Sequence, residues 1–224
     1  MDTRTPNQKR KDTCKKVGGE KKRTGHKREI EFNSFFGYED ASIKYGAEAD
    51  CEISNETPNG IHLNEQLKKH FIEMPEHSDK VSLKGGNTIQ FTLGRIDEVS
   101  SLENSEKLNV FKNSDFWEKY LGKSNSANPP GWFVYRDETE KTWTFFRMDS
   151  VIEFIVTKSK WRLLDTGRIK GDFTDSSKKG YSQYLTYEYR PSKGHFLGAN
   201  GGKNGKKFVN LLRECLSHKV ITDP

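Results

Sequence analysis

Three residues, Glu29, Asp50 and Lys84, stand along the chain in an order suited to one kind of chemistry. Metal-assisted hydrolysis of a phosphodiester needs two or three oxygen ligands that converge on a divalent cation. It also needs a positive side chain that orients the attacking water beside the phosphate. Two neighbouring strands can supply both, with an acid near the end of the first and a short x-x-Lys unit on the second. Side chains alternate along a strand, so the residue two before the lysine shares its face. A glutamate on a preceding helix completes such a cluster. Glu29 falls in GHKREIEFNSFFG, Asp50 in GAEADCEIS and Lys84 in DKVSLKGG. The three are expected to approach one another to on the order of 4–8 Å, the span of shared Mg²⁺ ligands and water.

The elements that would position them can be read from periodicity. Residues 1–23 are polar, lysine-rich and aperiodic, which predicts a disordered arm, with order beginning near Thr24. Glu29, Phe32, Asn33 and Phe36 then share one helical stripe that closes at Gly37, whereas Arg28 and Glu31 lie on other faces. A short strand is expected around Asp50 and a helix over 60–72. Val81 and Leu83 alternate with Ser82 and Lys84 in a half-buried strand broken by Gly85-Gly86. The segment after the glycines reads equally as a strand or a helix start. GWFVYR and KTWTFFRM form an aromatic hairpin, and VIEFIVT reads as a strand. WRLLDTGRIKGDF and YSQYLTYEYR are further strand candidates. Phe208, Leu211, Leu212, Cys215 and Leu216 mark a closing amphipathic helix. The expected fold class is α/β, a central mixed sheet flanked by helices, in a single domain over 24–224.

In Glu29, Asp50 and Ser82-Leu83-Lys84 the chain resembles the PD-(D/E)XK nuclease superfamily, to which most type II restriction endonucleases belong. The resemblance covers roughly Gly25 to Phe91 and implies a restriction-endonuclease-like core. It implies that Asp50 is the metal-binding aspartate, Lys84 the motif lysine, the Leu83 carbonyl a further metal ligand and Glu29 the helix glutamate. One position departs from the pattern: Ser82 stands where an Asp or Glu is expected. Glu52, two residues from Asp50 on the same strand face, is one candidate replacement, and Glu48 is another. The implied cofactor is Mg²⁺ and the implied substrate double-stranded DNA. A homodimer and a cognate DNA methyltransferase in the same system are implied by the same resemblance.

Charge and composition bear on partners. Residues 1–28 carry eleven Lys/Arg against three acids, residues 160–207 eleven against four, and residues 29–159 fourteen against twenty-three. Two basic segments bracket an acidic middle, as a phosphate-gripping surface around metal-binding carboxylates would. Arg162, Arg168, Lys170, Lys203, Lys206 and Lys207 are the candidate nucleic-acid contacts, several within a glycine-rich run, 193–207, that reads as a flexible loop. That run fails as a P-loop, because the spacing G-x-x-x-x-G-K-[ST] is not met. His26 could act as a general base, though a histidine at a helix start is ordinary surface. Gln90 reads as polar sheet surface. Trp132 and Trp143 could stack single-stranded bases, but core packing explains them equally.

No apolar run reaches the ~20 residues of a membrane span, and the N-terminus lacks the apolar core of a secretory signal. The expected location is therefore cytoplasmic. Cys14, Cys51 and Cys215 are widely spaced, which predicts reduced, mostly buried thiols and argues against a zinc site. Two readings stand beside that of a restriction enzyme. One is a non-enzymatic nucleic-acid-binding protein whose acidic middle is merely surface; the other is a metal-dependent nuclease without sequence specificity.

Overall fold

In the computed structural model, described over residues 5–38, 49–94, 96–121, 130–164, 168–173, 185–190, 194–199 and 204–224, the chain is mixed α/β. Two five-stranded sheets are flanked by helices. The first sheet is mixed, with order β1 (Cys51–Glu52), β2 (Lys80–Gly85), β4 (Trp132–Asp137), β5 (Thr142–Arg147), β10 (Lys219–Thr222). Its one parallel pair is β2 with β4, in register Lys84 to Tyr135 and Gly85 to Arg136. The second is antiparallel throughout, with order β3 (Ile89–Gly94), β9 (Gly194–Ala199), β8 (Leu185–Arg190), β7 (Ile169–Phe173), β6 (Ser159–Leu163). One central sheet was expected; the apolar residues instead build two, joined where β2 passes through Gly85-Gly86 into β3.

The mixed sheet is covered on both faces, which explains its aromatic hairpin. Trp132, Val134, Trp143 and Phe145 face one core with Cys51, Val81 and Leu83, packed by Phe32 and Phe36 of α1 (Pro6–Phe36) and Leu63 and Leu67 of α2 (Pro58–His70). Phe133, Tyr135 and Phe146 face the other. There they meet α5 (Ser114–Tyr120), α6 (Met148–Lys158), α7 (Asn204–Cys215) and the inner side of the antiparallel sheet. Short helices α3 (Asp97–Ser100) and α4 (Asn104–Val110) complete the crossover from β3 to β4. A strand buried on both faces reads as a continuous apolar run rather than an alternation. Trp132 and Trp143 are fully buried, so neither is placed to stack on bases.

Several expectations are corrected. The helix starts at Pro6, not near Thr24, so the described part of the basic arm is helical. Thr5 and Gln8 form a reciprocal capping box with Pro6 at the first turn, and the Lys, Arg and Glu that come after are good helix formers. VIEFIVT is helical, within α6. Its stripe of Met148, Val151, Ile152 and Ile155 has helical spacing, but the period begins upstream of the apolar run. The strand expected in WRLLDTGRIKGDF is borne out over its described residues, which belong to two antiparallel strands, β6 and β7. The described parts of the run 193–207 are not loop: Gly194–Ala199 is a fully buried strand inside the antiparallel sheet, and α7 starts at Asn204. The strand lies between β3 and β8, and its apolar weight comes from Phe196 and Leu197. Cys51 is buried as expected, whereas Cys215 is exposed.

A buried ionic knot ties α1, β4 and the C-terminus. The Arg136 guanidinium, 3% exposed, donates to Asp223 Oδ1 and Oδ2 at 2.6 and 2.8 Å and to Glu31 Oε1 at 2.7 Å. It also lies 4.3 Å from the Trp143 ring centroid. Burial pushes the Asp223 carboxyl up, but the bonds from Arg136 and Trp143 outweigh it and hold the group below its ordinary value. Removing one partner of such a group strands the remaining charges, at a cost of about 3–5 kcal/mol. Arg136→Ala is therefore expected to lower Tm, by roughly 2–4 °C for each kcal/mol in a chain this long. The Asp223 contribution is complete above the unfolded carboxylate value and fades as pH falls through the depressed folded value. Thermal melts from neutral pH into acid should accordingly show the wild type losing its advantage over Arg136→Ala at the acid end.

Candidate functional site

Asp50 stands where the edge strand β1 begins, and its side chain extends the ladder that the backbone abandons. Its N–H donates to the Val81 carbonyl at 3.0 Å. Its Oδ2 then accepts the Leu83 N–H at 2.9 Å, a bond that a longer β1 would have made with main chain. Ser82 Oγ donates to the same oxygen at 3.3 Å and Lys84 Nζ at 2.6 Å. The ammonium also donates to the Leu83 carbonyl at 3.1 Å. One cationic centre thus bridges the acid's carboxylate and a main-chain carbonyl on the next strand. Among the described residues no donor reaches Oδ1 of Asp50.

The β2 sequence dictates this arrangement. Val81 and Leu83 turn into the core shared with α1 and α2, so Ser82 and Lys84 must turn the other way. Ser82 is buried and Lys84 is 15% exposed, its ammonium 5.7 Å from the Phe91 ring centroid. Asp50 and Lys84 lie on the same side and in direct contact, closer than the approach anticipated from spacing. Forming so sheltered an ion pair strips water from both charges, and the hydrogen bonds to main chain offset that cost.

Glu29 reaches the neighbourhood from α1 but is less engaged. Its carbonyl accepts Cys51 Sγ–H at 3.8 Å, and its carboxylate pairs with His26 Nδ1 at 3.1 Å. The Cys51 thiol registers the whole group. Burial pushes it well above its usual range, the Asp50 and Glu29 carboxylates push it further, and Lys84 opposes them. His26 serves as the partner of Glu29 within the helix. Glu52 is exposed and sits opposite Lys80, at the end of β2 away from Lys84, so it does not replace the acid missing at Ser82. Strand alternation gave it the right face but the wrong distance. Glu48 lies outside the described residues.

Among the described residues no three of His, Cys, Asp and Glu converge in a metal cage. The Asp50 carboxylate and the Leu83 carbonyl are hard oxygen donors of the type Mg²⁺ takes, an ion often held by one or two carboxylates while it keeps several waters. Asp50 and the Leu83 carbonyl already hold a cationic group between them, so their oxygens converge.

The expected nucleic-acid contacts divide. Arg162 pairs with Asp172 at 2.6 Å and Arg168 with Glu188 at 3.0 Å, on the outer face of the antiparallel sheet where Lys170 also stands. Lys206 pairs with the buried Asp137 at 3.1 Å, and Lys207 is exposed. Lys203 lies outside the described residues. Gln90 is half-buried in register with Gly198, as polar sheet surface. What sequence reasoning missed is Arg28, whose guanidinium lies against Gly85 and Gly86 just beyond Lys84. The glycine pair itself was the available signal.

A second polar cluster looks catalytic but is closed. Tyr187 OH bonds His195 Nδ1, and His195 Nε2 meets Ser100 Oγ at 3.0 Å. Ser100 in turn donates its proton to the Ile96 carbonyl at 2.9 Å. Burial holds the His195 imidazole below its ordinary value and hence neutral. Tyr187 therefore donates to His195, His195 to Ser100 and Ser100 to Ile96. In this arrangement Ser100 Oγ accepts from His195 while donating to main chain.

Compared with protein-family models, curated proteins and solved structures, the chain matches none of them.

The twofold duty of Asp50, ladder cap and counter-ion, can be separated by substitution. Asp50→Asn keeps a side-chain oxygen for the Leu83 N–H but removes the charge facing Lys84. Asp50→Ala also strands that N–H. Each step is expected to cost about 1–3 kcal/mol, so urea midpoints should fall in the order wild type, Asn, Ala.

Proposed function

We propose that the protein is a Mg²⁺-dependent endodeoxyribonuclease with a PD-(D/E)XK-type site, acting in the cytoplasm as a type II restriction enzyme on double-stranded DNA. The observation that carries this reading is the Lys84 ammonium held between the Asp50 carboxylate and the Leu83 carbonyl. Asp50 opens β1 and the other two belong to β2, its neighbour, in the order the resemblance requires.

In this reading Asp50 and the Leu83 carbonyl would hold Mg²⁺, with Glu29 next to them across Cys51. The ion would supply positive charge to the phosphate and acidity to its waters. Lys84 orients the attacking water and offsets the charge that develops on the phosphate oxygens. Ser82 keeps the Asp50 carboxylate in place by donating to it. The burial of β2 on the Val81 and Leu83 side fixes the Leu83 carbonyl. Cutting both strands at a symmetric sequence takes two such sites, hence a homodimer. Protection of the host DNA takes a cognate methyltransferase.

One observation favours a different reading. Asp50 is fully explained as a cap for the Leu83 N–H and a partner for Lys84, and Ser82 leaves β2 without its acid. On that view the chain binds nucleic acid without cutting it. Incubating purified protein with plasmid and Mg²⁺ decides between them: cleavage supports the nuclease, and discrete fragments support sequence specificity over a non-specific enzyme. Asp50→Ala is expected to abolish cleavage while leaving binding intact or tighter, because a negative charge facing phosphate is removed. Lys84→Ala is expected to lose about 10²–10³-fold or more in rate and to bind slightly less well. Clean cutting by Asp50→Ala would refute the site.

The basic amino-terminal half of α1 generates a separate expectation. Deleting residues 1–23 should weaken binding to all sequences alike and flatten the fall of log affinity with log salt, since phosphate contacts release counterions and carry no base information. Filter binding between about 50 and 200 mM salt would show it. A salt-independent affinity in the wild type would count against a phosphate-gripping surface.

A further inference from the structure

Gly85 and Gly86 end β2, directly beyond Lys84, and both are shaped around Arg28. A Cβ at Gly85 would stand 2.7 Å from Arg28 Nε and 2.9 Å from its Cζ, far inside contact distance. At Gly86 it would stand 3.2 Å from Nη2, and that residue has φ +76°, a left-handed conformation natural only to glycine. Tyr135 OH donates to the Gly86 carbonyl at 3.0 Å from the other face, so the strand end is held between a guanidinium and a phenol.

Lys84 leaves β2 on the face of Asp50, while Arg28 covers the strand end from the α1 face. A cation therefore flanks each side of a segment that has no Cβ to keep a ligand away. β2 and β4 run parallel and both end here, the edge of an α/β sheet where ligands gather. Arg28 is 15% exposed, and its partner Glu138, at 2.8 Å on the β4–β5 turn, is 53% exposed. A solvated carboxylate on a long side chain gains little from such a pair. A phosphate diester can take the same guanidinium through two oxygens, which binds better.

We propose that Arg28 is a second phosphate-binding residue of the Asp50–Lys84 site, gripping the DNA backbone beside the phosphate that Lys84 faces, with Glu138 holding its place until DNA arrives. This rests on the nuclease reading above for its substrate. The role is binding, and it explains why two glycines stand directly after the lysine.

The test is anisotropy titration of a fluorescent duplex with the full chain in EDTA, at several salt concentrations, with Arg28→Ala, Arg28→Gln and Glu138→Gln. Arg28→Ala is expected to lose about tenfold in affinity and to reduce the slope of log affinity against log salt by about one contact. Arg28→Gln, which retains most of the packing over the glycines, should lose the same slope with an unchanged melting temperature. Glu138→Gln should bind several-fold tighter, because it frees the guanidinium without cost to the fold. Equal weakening by Arg28→Gln and Glu138→Gln, or an unaltered salt slope in both Arg28 variants, would show a structural ion pair and overturn the proposal. Failure of the nuclease reading shows separately, as wild type that binds DNA with the full slope and never cuts it. Wild type that does not bind the duplex would overturn both.

Discussion

Burial of the mixed sheet on both faces is the constraint on which the rest of the molecule depends. All six residues of β4 and five of the six in β5 are buried. The chain, only 32% apolar, meets that demand with large rings. Phe32 and Phe36 pack edge-on to Trp143 at 5.4 and 6.2 Å between centroids, and Phe71 meets Trp132 at 5.1 Å. Aromatic pairs of this kind add to their area burial. With β4 locked between layers, its parallel neighbour β2 has no freedom of register. The faces of Ser82, Leu83 and Lys84 are set by that alone. The chemistry at Asp50 thus inherits its geometry from two tryptophans on the far side of the sheet.

Polar residues in this core occur where elements must be tied at one point. Arg136 draws Glu31 from α1 and Asp223 from the C-terminus onto the edge of β4. Asp137 beside it accepts the Thr139 and Glu140 N–H groups that form the hairpin turn and pairs with Lys206 of α7. Two helices and the chain end are therefore registered by two consecutive residues. The same end of the parallel pair carries Lys84, Gly85 and Arg28, so the site and the knot share a rigid frame.

How much of this was legible depends on which forces are local. The stripe of Phe32 and Phe36, the aromatic hairpin and the closing helix are short-range patterns, and each formed as periodicity indicated; β2 formed as a strand too, but with Ser82 buried rather than half open to solvent. The contact between Asp50 and Lys84 was legible from types and spacing, since an acid and a strand lysine on neighbouring strands meet where register allows. Glu52 was not resolvable in that way, because alternation fixes a face and says nothing of distance along the strand. The strand at Gly194–Ala199 was hidden by its glycines, whose local propensity does not report long-range neighbours. Arg28 was invisible for the same reason: its partner is the absence of two side chains. The split into two sheets depends on long-range pairing that no window of sequence contains.

The length of α1 has a consequence for how its charge acts. Its 31 residues make a rod of about 46 Å, longer than one turn of duplex DNA. Its described core contacts come from the carboxyl-terminal end, at Phe32 and Phe36. Lysines on a flexible tether spread their field over every direction the tether samples. On a rod anchored at one end, the backbone positions that carry them keep a fixed bearing relative to the strand end that carries Lys84. The helix is then a rudder rather than a tether, its amino-terminal turns held at a set angle to the sheet.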